Sequence, residues 1–543
     1  MRNRTEIAPA EWRWVVVLGA LLLVILALPY LYVLVQDQTA TNVRFMGILA
    51  NPRDGATYLA KIGQGQRGAW GYSLAHTPEA ASGTFIQVFY VALGQLARLI
   101  GFSALAMFHL SRLLTSFAMF LSIYYLGATI WGKLRSRRLF FGIVAVGSGL
   151  GWLALLLLLG LRPVDLYVPE AIPLYAAYTN PHFPLSIAFL ALLAAQFVVV
   201  FRPGGDAPPT LRNGGAVVAI LGVLLALVQP QAWLPFAVAV TGYIALQTLR
   251  TRTLPRHDFV WAALMIIPAL PILLYDLLLI NSDVLYASWN AQNQTPSGNP
   301  LNYAFGFGLF WIIAAPGIFR ATRRLERDGD RFMLVWLITN MLLLYAPFNL
   351  QRRLVIGLII PLAYFAARSL EETWLARVRP TRRSFITALV VAALLPSSIL
   401  ALFIPFAVSM NPVSAQQNFI ALPRDYVSAI QWLKTNAAPG SVVLALPAVS
   451  LWIPAYSSAR VVYGHPFETV DAAAKREIVD RFYSGQDCTV RFAGFSVSYV
   501  LTGPRVVDED GLTRAIDPTF PCAGKVGDVV ARFDTVTVYR VRP

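Results

Sequence analysis

An acid stands in the run Arg53, Asp54, Gly55, Ala56, Thr57, Tyr58, shortly after an apolar stretch long enough to cross a membrane. A carboxylate so placed can take the proton of a hydroxyl presented at a membrane surface, and partial desolvation makes it a better base. The same letters suit a helix N-cap, in which Asp accepts backbone N–H groups and does no catalysis; the sequence leaves both open. A second group is Asp165, Glu170 and His182, the last in the run Thr179, Asn180, Pro181, His182, Phe183, Pro184. An Asp, a Glu and a His meeting at one place would bind a divalent cation or share a proton transfer. Their spacing matches no metal motif, and a plain loop with a Pro at the helix start fits it equally.

Arg352 and Arg353 follow the uncharged run Asn349, Leu350, Gln351. Guanidinium groups grip phosphate bidentately and stabilise a departing negative charge; lipid headgroups or a loop acid would serve the same residues. Arg112 and Asp276 fall inside apolar stretches, where ionisable groups are costly and face a cavity or each other. They read as a structural pair or as part of a phosphate pocket. His465, in the run Tyr463, Gly464, His465, Pro466, Phe467, Glu468, reads as a turn between strand and helix, and reaches a site only if its region folds back over the membrane surface.

The elements that position these residues are mostly membrane spans. Hydrophobic residues make up 57% of the 543 and charged residues only 13%, a composition that excludes an ordinary soluble core. Apolar runs recur from Trp14–Val35 to Phe385–Val408 and include the short Ala216–Val228 and Phe332–Pro347; at roughly 20 residues per crossing they give about eleven spans. The first is too long for the apolar part of a cleaved signal and is read as retained. Basic clusters at Lys133–Arg138, Arg250–Arg256, Arg320–Arg331 (with Arg327 among them) and Arg377–Arg383 mark the cytoplasmic turns. That places the N-terminus inside and puts the Asp54 loop and everything after Val408 outside, in a multi-pass plasma-membrane protein. The net charge of +16 then reports topology and not a nucleic-acid partner.

Two parts are expected: a membrane domain over 1–408, whose first outer loop (36–103) carries interfacial helices at Gly55–Gly65 and Thr84–Ile100, and an extracytoplasmic α/β domain over 409–543. In the latter, helices are expected at Pro423–Asn436 and Glu468–Tyr483. Strands are expected near Ser441–Leu446, Arg460–Tyr463, Ser498–Leu501, Val529–Phe533 and Val536–Val541. Its two cysteines, Cys488 and Cys522, are the only ones in the chain, and outside the cytoplasm they read as a disulfide; two buried thiols are the alternative.

A first span, an outer loop with an acid and a Tyr one turn later (Asp54 and Tyr58), a second interfacial helix, then a long span from Ala104 ending at a basic turn: this order resembles the GT-C superfamily of membrane glycosyltransferases, in particular the protein O-mannosyltransferases and the lipid A aminoarabinose transferases. The resemblance implies transfer of a sugar from a polyprenyl-phosphate carrier to a lipid, glycan or protein acceptor on the outer side, with Asp54 as base. Under such a function, the residues read above become Arg352, Arg353 and Arg112 as candidates for the donor phosphate, with Tyr58, Asp165, Glu170, His182 and His465 as further candidates. Many members carry a second acid where this chain has Gly55, which puts metal dependence in doubt: no cofactor is certain, and the divalent cation considered above stays an open alternative. Two rivals stand beside this reading: a lipid-linked sugar transporter or flippase, which would show internal symmetry or broken midplane spans, and a catalytically inactive binding subunit.

Overall fold

The computed structural model describes residues 6–39, 42–201, 214–325, 329–504 and 522–542; Arg327 of the third basic cluster lies outside them. The fold is mainly helical, and among the described residues nine helices are long and apolar enough to cross a membrane. They run from Pro9–Asp37 through Ala104–Ile130 and Leu134–Leu156 to Pro380–Ser409. The sequence count was higher because two apolar runs fold as shorter helices, Ala216–Val228 and Asp330–Leu343, of 13 and 14 residues. At 1.5 Å per residue, neither reaches across a hydrocarbon core of about 30 Å.

The chain forms two compact units. One comprises Met1–Leu26, Ser111–Leu277 and Gln294–Phe403; the other comprises Ala27–Leu110, Leu278–Asn293 and Ile404–Pro543. In the first, the Arg137 guanidinium reaches the Glu11 carboxylate at 2.9 Å and the Trp131 carbonyl at 2.7 Å. The start of the first helix thus lies beside the basic turn that carries Arg137.

The second unit joins segments far apart in sequence. Strand Val43–Phe45 pairs antiparallel with Ala421–Pro423. A five-stranded mixed sheet has the order Arg460–Val461, Val442–Leu444, Tyr499–Thr502, Val536–Val541, Gly527–Phe533, parallel across its first three strands and antiparallel thereafter. Cys488 and Cys522 are bonded, with Cα atoms 5.3 Å apart. The helix expected from Glu468 begins only at Ala472, because Glu468 is drawn into the interior by a buried partner described below.

Helices Pro52–Gln66 and Val88–Ile100 follow the first span. They cross at two glycines. A Cβ on Gly65 would lie 2.1 Å from the Val91 carbonyl oxygen, and one on Gly94 would lie 2.1 Å from that of Ile62. Both obstacles are backbone, so the helices would have to part. Parting them would break the stacked Tyr58 and Tyr90 rings, whose centroids are 4.2 Å apart. Alanine gains up to about 1 kcal/mol in helix propensity over glycine, but overpacking of this severity costs about 3 kcal/mol. Gly94→Ala is therefore expected to lower stability by about 2 kcal/mol. An unfolding midpoint equal to wild type would contradict this account of the crossing.

Candidate active site

Asp54 is not the N-cap of its helix. Asn51 holds that position in the left-handed conformation (φ 54°), Pro52 follows it, and Asp54 sits in the first turn. Its Oδ2 accepts a hydrogen bond from Asn51 Nδ2 at 2.8 Å. Its Oδ1 lies 3.6 Å from His465 Nε2, an ion-pair distance slightly too long for a hydrogen bond. The carboxylate is partly exposed, at 28%, while the imidazole is buried at 3%. An anion in the first turn is also favoured by the helix dipole.

Backbone geometry decides which His465 nitrogen carries the proton. Its Nδ1 accepts N–H bonds from Phe467 at 3.1 Å and from Glu468 at 3.2 Å. A nitrogen that accepts has no hydrogen in the neutral ring, so the hydrogen sits on Nε2, facing Asp54. The turn is held further by Thr469, whose Oγ1 accepts the amides of Gly464 and His465 and donates to the His76 carbonyl at 2.6 Å.

Behind this pair lies a buried polar cluster. Lys61 is fully buried, and its Nζ reaches Glu468 Oε1 at 2.9 Å. The other carboxylate oxygen of Glu468 accepts from the Tyr72 hydroxyl at 2.9 Å. The Lys61 ammonium also sits over the rings of Tyr58 and Tyr72, at 5.1 and 4.8 Å. Burial alone would raise the Glu468 carboxyl, but Lys61 beside it leaves it below the usual range; burial and the Glu468 charge drive the Tyr72 phenol upward.

His76, fully buried, donates from Nε2 to the Leu451 carbonyl at 3.0 Å, and its Nδ1 has no hydrogen-bond partner among the described residues. Burial pushes this imidazole down to about 4. In the unfolded chain it charges near 6.5. The folded value is the lower one, so the unfolded chain binds the extra proton between these two values. Stability from His76 is then complete above pH 6.5 and is lost as pH falls toward 4, by about 3 kcal/mol. His76→Gln is expected to flatten unfolding free energy against pH across that window; an unchanged slope would refute it.

Gly55, where a second acid was missed, has a steric reason. A Cβ there would fall 2.4 Å from Cδ1 of Ile48, itself fully buried. Any longer side chain has to displace that core residue.

In the other unit, Asp165 is fully buried, and its Oδ2 accepts the amides of Gly149 and Gly151 at 3.1 and 3.0 Å. Burial raises its carboxyl to about 6, against those hydrogen bonds. Its visible work is to cap the turn that starts helix Gly151–Leu156. Glu170 is buried in the single turn Pro169–Ala171. His182 opens helix His182–Val200 with its ring against Phe183. Among the described residues no three His, Cys, Asp or Glu side chains gather as a metal site, so Asp165, Glu170 and His182 do not fit a cation between them.

Arg352 and Arg353 occupy the turn Gln351–Val355. The turn is strapped to a neighbouring loop: Thr295 N donates to the Asn349 carbonyl at 2.7 Å, and Arg352 N to that of Thr295 at 3.0 Å. The Arg352 Nε is buried with no hydrogen-bond partner among the described residues. The turn Gln351–Val355 packs against the single turn Pro169–Ala171 that carries Glu170, which brings these two candidates into one neighbourhood. Arg112, 1% exposed, donates to the Ala177 carbonyl at 3.0 Å, in the last turn of helix Pro173–Thr179.

No family model matches the sequence, and neither does any curated protein. Solved structures do match. ArnT from Cupriavidus metallidurans bound to undecaprenyl phosphate aligns at a TM-score of 0.56 and 12% identity, over 98% of each chain. The chain has the GT-C fold. Two further structures agree with this. The arabinofuranosyltransferase AftD from mycobacteria gives 0.56 at 14% identity, over 99% of this chain and 40% of that one. The Archaeoglobus fulgidus oligosaccharyltransferase tethered with an acceptor peptide containing the NVT sequon gives 0.51 at 15%, over 89% and 69%.

Within this GT-C fold, Asp54, Tyr58 and His465 fall in one unit, and Arg112, Asp165, Glu170, His182, Arg352 and Arg353 in the other. Tyr58 is 6% exposed and packed in the core, its ring taken up by Tyr90 and Lys61. Sequence reading missed Lys61, Glu468 and His76, which carry no local motif. It also passed over Asn180, fully buried with neither side-chain polar atom hydrogen-bonded among the described residues. Buried amides without partners are rare; the available signal was its place in the Thr179–Pro184 run.

Proposed function

We propose that the protein is an integral membrane glycosyltransferase that moves a sugar from a polyprenyl-phosphate donor to an acceptor hydroxyl at the extracytoplasmic face. The observation that carries this reading is Asp54: a partly exposed carboxylate in the first turn of a helix, in a GT-C fold, with the Nε2–H edge of His465 beside it. Asp54 takes the acceptor proton as the acceptor oxygen bonds to the anomeric carbon. The bond from that carbon to the carrier phosphate breaks, and the lipid phosphate leaves with the electron pair. Arg352 and Arg353 hold that phosphate, and the buried Nε of Arg352 is a donor suited to it. His465 is a positioning residue that fixes the Asp54 rotamer.

The test is to supply purified protein with polyprenyl-phosphate sugars and membrane extract and to follow sugar transfer. Turnover that survives Asp54→Ala unchanged would overturn the assigned base. Lipid phosphate bound through Arg352 without any turnover would favour an inactive binding subunit. Movement of intact lipid-linked sugar across a vesicle membrane would favour a transporter.

A further inference from the structure

A cavity of about 390 Å³ opens on the unit that carries Asp54, between the end of helix Pro52–Gln66 and the segment that leads into strand Arg460–Val461. The Gln64 side chain builds one wall. Its Nε2 donates to the Ser73 carbonyl at 2.7 Å and its Oε1 accepts the Ser73 amide at 2.9 Å, so the chain after the helix folds back along its last turn. The other wall turns at Gly440, in the left-handed region (φ 79°), whose amide donates to the Ser458 carbonyl at 3.0 Å. Leu74 and Pro454 line the cavity with apolar surface. Ser73 and Ser458 also line it, and their hydroxyls have no hydrogen-bond partner among the described residues. Among the described residues, the charged ones that line it are Arg67 and Arg460, both positive.

Neither guanidinium is neutralised. Arg67 is exposed, its Nη1 lies 3.2 Å from where a Cβ on Gly63 would stand, and its side chain makes no hydrogen bond or ion pair among the described residues. Protein packed against one side of it holds it below its ordinary value, with no carboxylate to raise it. Arg460 joins the two walls: Nε donates to the Gly440 carbonyl at 3.1 Å and Nη1 to that of Pro78 at 2.6 Å, while Nη2 makes no hydrogen bond among the described residues. Glu79, beside Pro78, is the carboxylate that acts on Arg460. It is held by Lys475 at 2.6 Å and by Thr77, so that ion pair cancels. The helix end offers about half a negative charge, less than two guanidiniums bring, and Arg98 stands beside Gly68 with a third.

Two like charges on one cavity repel until an anion joins them, and guanidiniums grip phosphate or carboxylate through paired donors. The volume falls in the range of small-molecule sites, about 300–1,000 Å³, and a lone phosphate leaves most of it empty. The open hydroxyls of Ser73 and Ser458 suit a hydroxylated body in the remainder. From this we infer that the cavity binds a monosaccharide-sized ligand carrying an oxyanion, phosphate or carboxylate, gripped by Arg67 and Arg460. The inference does not rest on Asp54 being the base.

The test is isothermal titration of the purified full chain in detergent with glucose 6-phosphate, glucuronate, glucose and inorganic phosphate. Wild type is expected to bind glucose 6-phosphate and glucuronate about tenfold more tightly than glucose or inorganic phosphate, each of which lacks one half of the ligand. Arg67→Gln, which breaks no hydrogen bond among the described residues, is expected to lose about tenfold for both anionic sugars. Ala80→Trp keeps both charges and narrows the cavity from an exposed lining position. It is expected to abolish binding of both sugars while leaving the unfolding midpoint near wild type. Affinity for glucose or inorganic phosphate equal to that for glucose 6-phosphate, or binding unaffected by either substitution, would overturn the site. So would binding lost in Arg352→Gln but kept in Arg67→Gln, since the ligand would then sit at the proposed donor phosphate site.

Discussion

Asp54→Asn is expected to lower the rate of sugar transfer by about 10³-fold with little change in stability, since general-base catalysis contributes roughly 10² to 10⁴. The substitution is close to isosteric, and an asparagine oxygen can still accept from Asn51 Nδ2, now at 2.8 Å. What is lost is the capacity to take a proton. His465→Ala removes the group that aims the carboxylate, together with the acceptor of the Phe467 and Glu468 amides, and about tenfold is expected in kcat with donor KM unchanged. His465→Gln, which retains an N–H on a side chain of similar reach, should recover part of it. A merely structural histidine would not give that split or that rescue. The separation of 3.6 Å is expected to tighten when substrate excludes water. If Asp54→Asn retains more than about a tenth of wild-type turnover, below the smallest usual general-base effect, another group is the base.

Lys61→Met is expected to destabilise the unit containing Asp54 by about 3–5 kcal/mol, because it strands the Glu468 carboxylate in the interior. Lys61 is 0% exposed and Glu468 is 7%; neither charge has water to fall back on. The same logic makes Lys61→Met with Glu468→Gln milder than Lys61→Met alone, since no buried charge then remains unpaired. The effect should also reach the site. The Glu468 amide is one of the two donors that fix the His465 tautomer, so a turn released from Lys61 misaims the imidazole. Denaturant unfolding of Lys61→Met, Glu468→Gln and the double variant measures this. A double variant as unstable as the sum of its parts would deny the coupling.

The hydrophobic pattern made the membrane character legible, because a bilayer imposes a length on every crossing helix and that length appears in the sequence. The two runs that fell short, Ala216–Val228 and Asp330–Leu343, mark where apolarity and helix length part company. Helix Arg424–Asn436 and strand Val536–Val541 were legible for a similar reason: their periodicities are local. The helix expected from Glu468 was misread because period alone cannot register a partner 407 residues away, and Lys61 is that partner. The N-cap reading of Asp54 fell to a local detail, a left-handed Asn51 before Pro52, which needs φ and not letters.

By itself, then, the sequence determined a multi-span helical membrane protein with an acid just beyond its first span and a mixed α/β region after its last, since hydropathy and period are properties of short stretches. Only the tertiary structure decided that His465 stands beside Asp54, that Lys61 and Glu468 lie buried together behind it, and that Ile48 fills the space a second acid would need. Those facts follow from which distant surfaces pack together, and packing is set by complementarity over the whole chain.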